Sequence, residues 1–269
     1  MNPWLIGAPL AAAAGAGLAA WGAFAPSSQL YGPVLRRLPA GAGGEAQRAI
    51  ALTFDDGPNP AITPRLLDLL DRYSARATFF VIGRFCAARP ELVREIAARG
   101  HLLGNHTHTH PSLVFRSPAR IAQELRRCEM AVAEALAVGL SGASFSRRSA
   151  PEAARTPALV MDWLRPPYGF RGPQLRGVAR AMGFRGVANW SVMCYDWKPQ
   201  RAERVIRRLA RVRAGDIVLL HDGDARVLDG DRAHVVAALE HWLPRWRDAG
   251  LEFVALPPEP SAPAQTLSL

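Results

Sequence analysis

From about residue 48 onward the chain alternates short apolar runs with stretches of helical period. Runs rich in Val, Ile, Phe and Leu fall at residues 49–54, 77–82, 101–104, 160–165, 186–190, 217–220 and 252–255. Short apolar runs bounded by turn residues predict strands buried on both faces. Between them, residues 64–73 and 90–99 carry apolar side chains at helical spacing, the second opening on Pro90 and ending at Gly100. Ser117-Pro118 offers an N-cap and a first-turn proline for a helix reaching about Val138. Seven strands alternating with helices predict an α/β fold built on a parallel sheet, open or closed as a barrel.

Three segments break this rhythm. No charged side chain occurs from Met1 to Leu35, and residues 3–25 are dominated by Ala, Gly, Leu and Trp. About 20 apolar residues span a bilayer, and the basic start of a secretory signal is missing. Ala23-Phe24-Ala25 resembles a cleavage site, but Pro26 follows it directly and disfavours cleavage. Residues 1–38 therefore read as an uncleaved hydrophobic anchor with a linker, in preference to a removed signal. Arg36 and Arg37 would place the following domain in the cytoplasm under the positive-inside rule, so the orientation stays open. Residues 45–256 form the expected catalytic domain, interrupted by a Ser/Arg/Ala/Pro-rich insertion at 141–157. A Pro-rich tail, 257–269, is expected to be disordered.

Composition changes the picture only slightly. With 49% hydrophobic and 21% charged residues in 269, a sizeable core is available and global disorder is excluded. Thirty-three basic against 23 acidic residues leave +10, and only Lys198 is a lysine. That skew reads as codon bias; neither aromatic interleaving nor a reader motif is present, so no nucleic-acid partner is expected. Half of the net charge sits in residues 200–213. There Ala202, Val205, Ile206, Leu209 and Val212 make an apolar face, and Arg201, Arg204, Arg208 and Arg211 oppose it. A solvated outer helix is the plain reading; contact with anionic phospholipid or wall polymer is the sharper one. Cys86, Cys128 and Cys194 are too few and too scattered for a disulfide framework, and read as small buried residues.

In parallel α/β folds, reactive residues gather at the C-terminal ends of strands. Polar residues concentrate there in this chain: Asp55-Asp56-Gly57-Pro58 after the first run, Asn105 to His110 after the third, and Arg165 to Gly169 after the fourth. Tyr195-Asp196-Trp197 follows the fifth and His221-Asp222 ends the sixth. Five of the seven histidines lie in residues 101–110 or at 221. His106 and His110 can face one point if the backbone turns helically, and Asp56 would complete a 2-His-1-carboxylate set. Such a set leaves positions open for water and substrate, the pattern of a catalytic metal. His108 then points elsewhere, and His101 reads as structural.

Thr53-Phe-Asp-Asp-Gly-Pro58, His106-x-x-x-His110, Arg165-Pro-Pro-Tyr-Gly169, Asp196-Trp197 and Leu219-Leu-His-Asp222 together resemble, in order, the five motifs of polysaccharide deacetylases. This is the NodB-homology domain of carbohydrate esterase family 4, and the resemblance runs from about Arg48 to Leu256. It implies a distorted (β/α) barrel of about seven strands. It also implies a divalent metal on Asp56, His106 and His110, commonly zinc, with cobalt or nickel as alternatives. Asp55 would be the general base, paired with Arg165; His221 would be the general acid, held as imidazolium by Asp196. The backbone N–H of Tyr168 would stabilise an oxyanion, because Pro166 and Pro167 have none to offer. Leu219 would line an acetyl-methyl pocket and Trp197 one wall of the sugar groove. One departure stands out: the family usually has aspartate three residues before the Asp-Trp pair, where this chain has Met193.

The resemblance implies a metal-dependent N-deacetylase acting on an N-acetylated polysaccharide or oligosaccharide, with the enzyme in the cell envelope, anchored or exported. Rivals are a xylan-type O-acetyl esterase in the same fold, a non-catalytic glycan-binding module, and an amide hydrolase for a small cyclic substrate.

Overall fold

Nine strands and eight α-helices are present among the described residues, 4–39, 48–137 and 161–256 of the computed structural model. The centre of the sheet is β2 (Ala49–Asp55), with all seven residues buried. One side of β2 pairs with β3 (Thr78–Val81) and, at its beginning, with β9 (Glu252–Val254). The other side pairs with β8 (Ile217–His221). The path continues through β4 (Leu102–Asn105), β5 (Trp163–Leu164) and β6 (Gly186–Ala188) to β1 (Val34–Leu35) at one edge. At the other edge, β7 (Val192–Met193) pairs with β8. Every strand pair is parallel, and strands β2 to β6 follow one another in space as they do in sequence.

The two edges meet. Arg37, just after β1, makes an antiparallel bridge with Asp216, just before β8, and Leu38 N–H donates to Gly215 O at 2.8 Å. Arg37 Nη1 also reaches Asp216 Oδ1 at 2.6 Å. This irregular join curls the sheet into the distorted barrel that the motif order implied.

The helices lie outside: α2 (Thr63–Arg72), α3 (Gly83–Ala88), α4 (Pro90–Ala98), α5 (Pro118–Ala137), α6 (Gln174–Ala181), α7 (Ala202–Leu209) and α8 (Ala233–Asp248), with α1 (Trp4–Phe24) preceding the sheet. Their apolar stripes close on the strands. Leu66, Leu67, Leu69 and Leu70 of α2, and Val235, Leu239, Leu243 and Trp246 of α8, join Ile50, Leu52 and Phe54 in one core. Each such side chain contributes about 1.5–3 kcal/mol by leaving water. All three cysteines are buried and free, as their spacing suggested.

All seven apolar runs are strands, but two further strands of two residues each, β1 and β7, complete the sheet. The expected helix over 200–213 is shorter, and Arg208 leaves the solvated stripe: it donates to Cys194 O at 2.7 Å and covers the Tyr195 ring. Val34 and Leu35, read above as part of a linker, belong to the sheet. Ala23 and Phe24, at the end of α1, also pack on the domain: Arg171 N–H donates to Ala23 O at 3.0 Å, and Phe24 meets Phe170 edge-on. Among the described residues no helix is long and apolar enough to cross a membrane. The insertion at 141–157 and the tail at 257–269 lie outside the described residues.

Candidate active site

The reactive side chains sit at the C-terminal ends of neighbouring strands. The ladder between β2 and β8 sets Asp55 opposite His221. Asp56 leaves β2 in a left-handed conformation (φ 71°) that turns its carboxylate toward the same space. Six non-glycine residues among those described have positive φ, and five of them, Asp56, Thr107, His110, Tyr168 and Tyr195, lie in the loops at this end of the barrel. Each such conformation costs about 1–3 kcal/mol and persists only where neighbours enforce it. In the β4 loop the enforcement is visible. Asn105 Oδ1 accepts Thr107 N–H at 2.9 Å while its Nδ2 donates to Leu125 O, and Thr107 Oγ1 accepts His110 N–H at 3.0 Å. Glu124 of α5 accepts the backbone N–H groups of His108 and Thr109.

Asp56, His106 and His110 converge, each offering one donor atom within 4.8 Å of the others. Asp56 Oδ1 lies 3.5 Å from His106 Nε2 and 3.3 Å from His110 Nε2, with side chains 9%, 3% and 8% exposed respectively. That Oδ1 is buried and accepts no hydrogen bond among the described residues. His106 Nδ1 faces Arg165 O at 2.7 Å. A carbonyl only accepts, so Nδ1 carries a proton and Nε2 points at Asp56, as in metal-binding histidines oriented by a backbone carbonyl. Burial opposes charge at all three groups. His106 is nevertheless raised, because Asp55 and Asp56 outweigh burial, and Asp56 is held well below the usual carboxylate range by His106, His110 and His221. His110 falls to about 4 through burial and the neighbouring His106. Two imidazoles and a carboxylate around an orphaned oxygen fit a divalent cation. His108 and His101 stand outside the cluster, as expected; His101 Nδ1 accepts Ala77 N–H at 3.2 Å and burial lowers its pKa to about 4.

Asp55 Oδ1 accepts Arg165 Nη1 at 2.7 Å, and Asp55 Oδ2 lies 3.7 Å from His106 Nε2. Arg165 is wholly buried, and its remaining donors are engaged: Nε with Ala188 O, Nη1 also with Thr53 Oγ1, and Nη2 with Asn189 O. Its guanidinium lies 4.1 Å from the centre of the Phe80 ring. A fixed fork of this kind gives Asp55 one orientation.

His221 faces the cluster from β8. Its backbone N–H donates to Asp196 Oδ2 at 2.7 Å, and its Nδ1 lies 3.2 Å from Asp196 Oδ1. Burial works against the imidazolium, but Asp196 outweighs it and His221 is raised to about 9. His234 anchors the Asp196 backbone through Nε2 and Asp196 O at 2.9 Å.

These groups open onto one cleft of about 670 Å³. Asp55, Asp56, His106, His110, Tyr168, Trp197, Leu219 and His221 line it; Arg165 and Asp196 stand behind the lining. Met193, which stands where the family usually has aspartate, also lines it. The structure brings every sequence-identified residue to this place. It adds residues to which the sequence assigned no role: Pro26, Phe170, Trp190, Lys198, Asp224 and Arg226 on the walls, and Thr53, Asn105 and Asn189 beneath. Asn105, directly before His106, was the one with a readable position. Pro26 gave no signal, because it belongs to the segment read as an anchor.

A parallel barrel whose strand ends gather an Asp–His–His cluster, a guanidinium-paired carboxylate and a carboxylate-held imidazole has the constellation of a hydrolase. The chain belongs to the polysaccharide deacetylase family, which its sequence matches over residues 42–187. It is thus a hydrolase of the NodB-homology, carbohydrate esterase family 4 type. It is 36% identical over 217 residues to a chitooligosaccharide deacetylase of Bradyrhizobium sp. (strain ANU 289), covering 78% of this chain and 90% of that protein. A peptidoglycan-N-acetylglucosamine deacetylase of Bacillus cereus is 34% identical over 212 residues, covering 78% and 87%. The crystal structure of a peptidoglycan N-acetylglucosamine deacetylase bound to 4-naphthalen-1-yl-N-oxidanyl-benzamide superposes with a TM-score of 0.64 at 29% identity, covering 80% and 89%.

Proposed function

We propose that the protein is a metal-dependent N-deacetylase that hydrolyses the acetamide of N-acetylhexosamine units in a cell-envelope glycan, releasing acetate. The observation that carries this reading is the grouping of Asp55, the Asp56–His106–His110 triad and His221 around one cleft. Asp56, His106 and His110 would hold a divalent ion, zinc in this proposal, which would polarise the acetyl carbonyl and lower the pKa of water. Asp55, with Oδ1 held by Arg165, keeps Oδ2 free to take a proton from the attacking water. His221, charged through Asp196, gives a proton to the leaving amine. The Tyr168 backbone N–H bonds the developing oxyanion. Leu219 receives the acetyl methyl and Trp197 stacks against the sugar.

The envelope setting is supported by the relatives named above and by the charge-free segment before Arg36, which we propose attaches the enzyme to the membrane. The test is acetate release from chitooligosaccharides, peptidoglycan and acetylated xylan, using metal-stripped protein and protein reloaded with zinc, cobalt or nickel. Release from the N-acetylated glycans that depends on the metal is the expected result. Release from xylan alone would make the protein an O-acetyl esterase, and indifference to metal would overturn the mechanism.

A further inference from the structure

One wall of the cleft carries charge that hydrolysis of a neutral acetamide does not use. Lys198, Asp224, Arg226 and Arg232 all line it. Asp224 and Arg232 neutralise each other. Asp224 Oδ2 accepts Arg232 Nη2 at 2.8 Å, and Asp224 Oδ1 accepts the Arg226 backbone N–H at 2.9 Å. Arg232, 1% exposed, also donates to Trp197 O and to Asp231 O, both at 2.7 Å. It acts as a staple between the loop after β8 and the loop that carries Trp197. Lys198 and Arg226 are different. Both side chains are exposed at the cleft, and among the described residues neither makes an ion pair or a side-chain hydrogen bond. The remainder of the wall is apolar, formed by Pro26, Phe170, Trp190, Met193, Trp197 and Leu219. Two uncompensated cations therefore flank an aromatic groove beside the reacting centre.

We propose that Lys198 and Arg226 form a subsite for a carboxylate borne by the sugar next to the one that is deacetylated. The proposal rests on the deacetylase reading of the cleft and narrows its substrate class. It favours a glycan in which N-acetylglucosamine alternates with a carboxylate-bearing amino sugar over a neutral homopolymer of N-acetylglucosamine. Arginine can grip a carboxylate through two parallel N–H donors, and lysine adds a mobile point charge. Because both side chains are exposed, the attraction is modest and is screened by salt.

The experiment compares kcat and KM for acetate release from two tetrasaccharides of equal length, using the full chain loaded with zinc. One alternates N-acetylglucosamine with N-acetylmuramic acid; the other is N-acetylglucosamine only. A third substrate, the first with its carboxylates amidated, isolates the charge. Wild type is expected to prefer the acidic tetrasaccharide, chiefly through KM, and to lose that preference on amidation and at high salt. In the Lys198→Gln/Arg226→Gln double variant the preference is expected to fall by about threefold to tenfold, the range that exposed charge pairs allow. Thermal midpoints of wild type and variant show whether the fold is kept. The proposal is overturned if wild type treats acidic and neutral substrates alike, or if the variant loses rate equally on both. Acetate from neither substrate would mean that the deacetylase reading itself fails, a result distinct from indifference to charge.

Discussion

His106 donates its Nδ1 proton to the carbonyl oxygen of Arg165 at 2.7 Å, while the Arg165 guanidinium holds Asp55 at the same distance. One residue therefore orients a metal-type histidine through its backbone and the candidate base through its side chain. The two functions are separable. Arg165→Lys keeps the carbonyl and removes the fork, so metal stoichiometry should stay near wild type while kcat falls by about 100-fold or more, the scale of a misplaced general base. Equal loss of metal and rate would show that the side chain supports the triad as well.

His221 stands at about 9 because Asp196 outweighs its burial. In the proposed mechanism its proton goes to the leaving amine, so activity should decline as pH rises through about 9. In Asp196→Asn that alkaline limb should move toward the ordinary histidine value of about 6.5. The stability sign is fixed by the same shift: a folded pKa above the unfolded one stabilises the protein below about pH 6.5, and the gain is lost as pH rises through about 9. Rate profiles and unfolding midpoints across pH 6 to 10, roughly the window between the two values, would show whether the limb moves.

Asp222 is buried beside Asp55, where its Oδ2 accepts the Thr63 hydroxyl and its Oδ1 has no partner among the described residues. Burial lifts it to about 7, against the pull of Thr63. An aspartate raised on folding loses stability as pH climbs from its unfolded value through its folded one, by at most ~4 kcal/mol here. Asp222→Asn can still accept from Thr63 and carries no charge. It should therefore be more stable than wild type at pH 8, about one unit above the folded pKa, and nearly equal below about pH 4. Denaturant titrations at the two pH values decide it.

Asp56→Ala and His110→Ala should each abolish tight metal binding and reduce kcat/KM by about three orders of magnitude. His108→Gln should retain both within about twofold, since His108 lies outside the triad. Metal analysis after dialysis is the direct measurement. Retention of stoichiometric metal by Asp56→Ala would sink the assignment of that ligand.

Residues 25–38 pack as part of the barrel domain. Pro26 lines the cleft, Asn189 Nδ2 donates to Pro26 O at 2.8 Å, β1 extends the sheet, and Arg37 pairs with Asp216. Removing residues 1–21 should leave the unfolding midpoint of the domain nearly unchanged. Removing residues 1–38 should lower it by several degrees and raise KM, because an edge strand, an ion pair and a groove wall go together. Equal midpoints for the two truncations would argue against this.

The catalytic core was legible because it obeys two strong rules: buried parallel strands are continuous apolar runs, and their ends carry the polar residues. Those two rules put Asp55, Asp56, His106, His110, Arg165 and His221 at strand ends, where the structure brings them together. What escaped has physical reasons. Two-residue strands such as Val34–Leu35 and Val192–Met193 are too short to show a period. Arg208 stays in register with its helix's basic stripe but bends its long side chain back to a carbonyl, which spacing alone does not reveal. Phe170, Trp190 and Pro26 are apolar residues whose default reading is packing, and only the path of the chain makes them groove walls.

The pairing of Asp55 with His221 in adjacent parallel strands has a wider consequence. The spacing of the candidate base and acid is a property of the hydrogen-bond ladder, and a slip of one residue in β8 would replace His221 by Leu220 or Asp222 and turn the imidazole to the other face. Lys198, Arg226 and Pro26, by contrast, stand on loops that can change length without disturbing that ladder. The candidate chemistry and the proposed choice of polymer thus rest on different parts of the molecule, so loop substitutions can alter the second while leaving the strand ladder of the first in place.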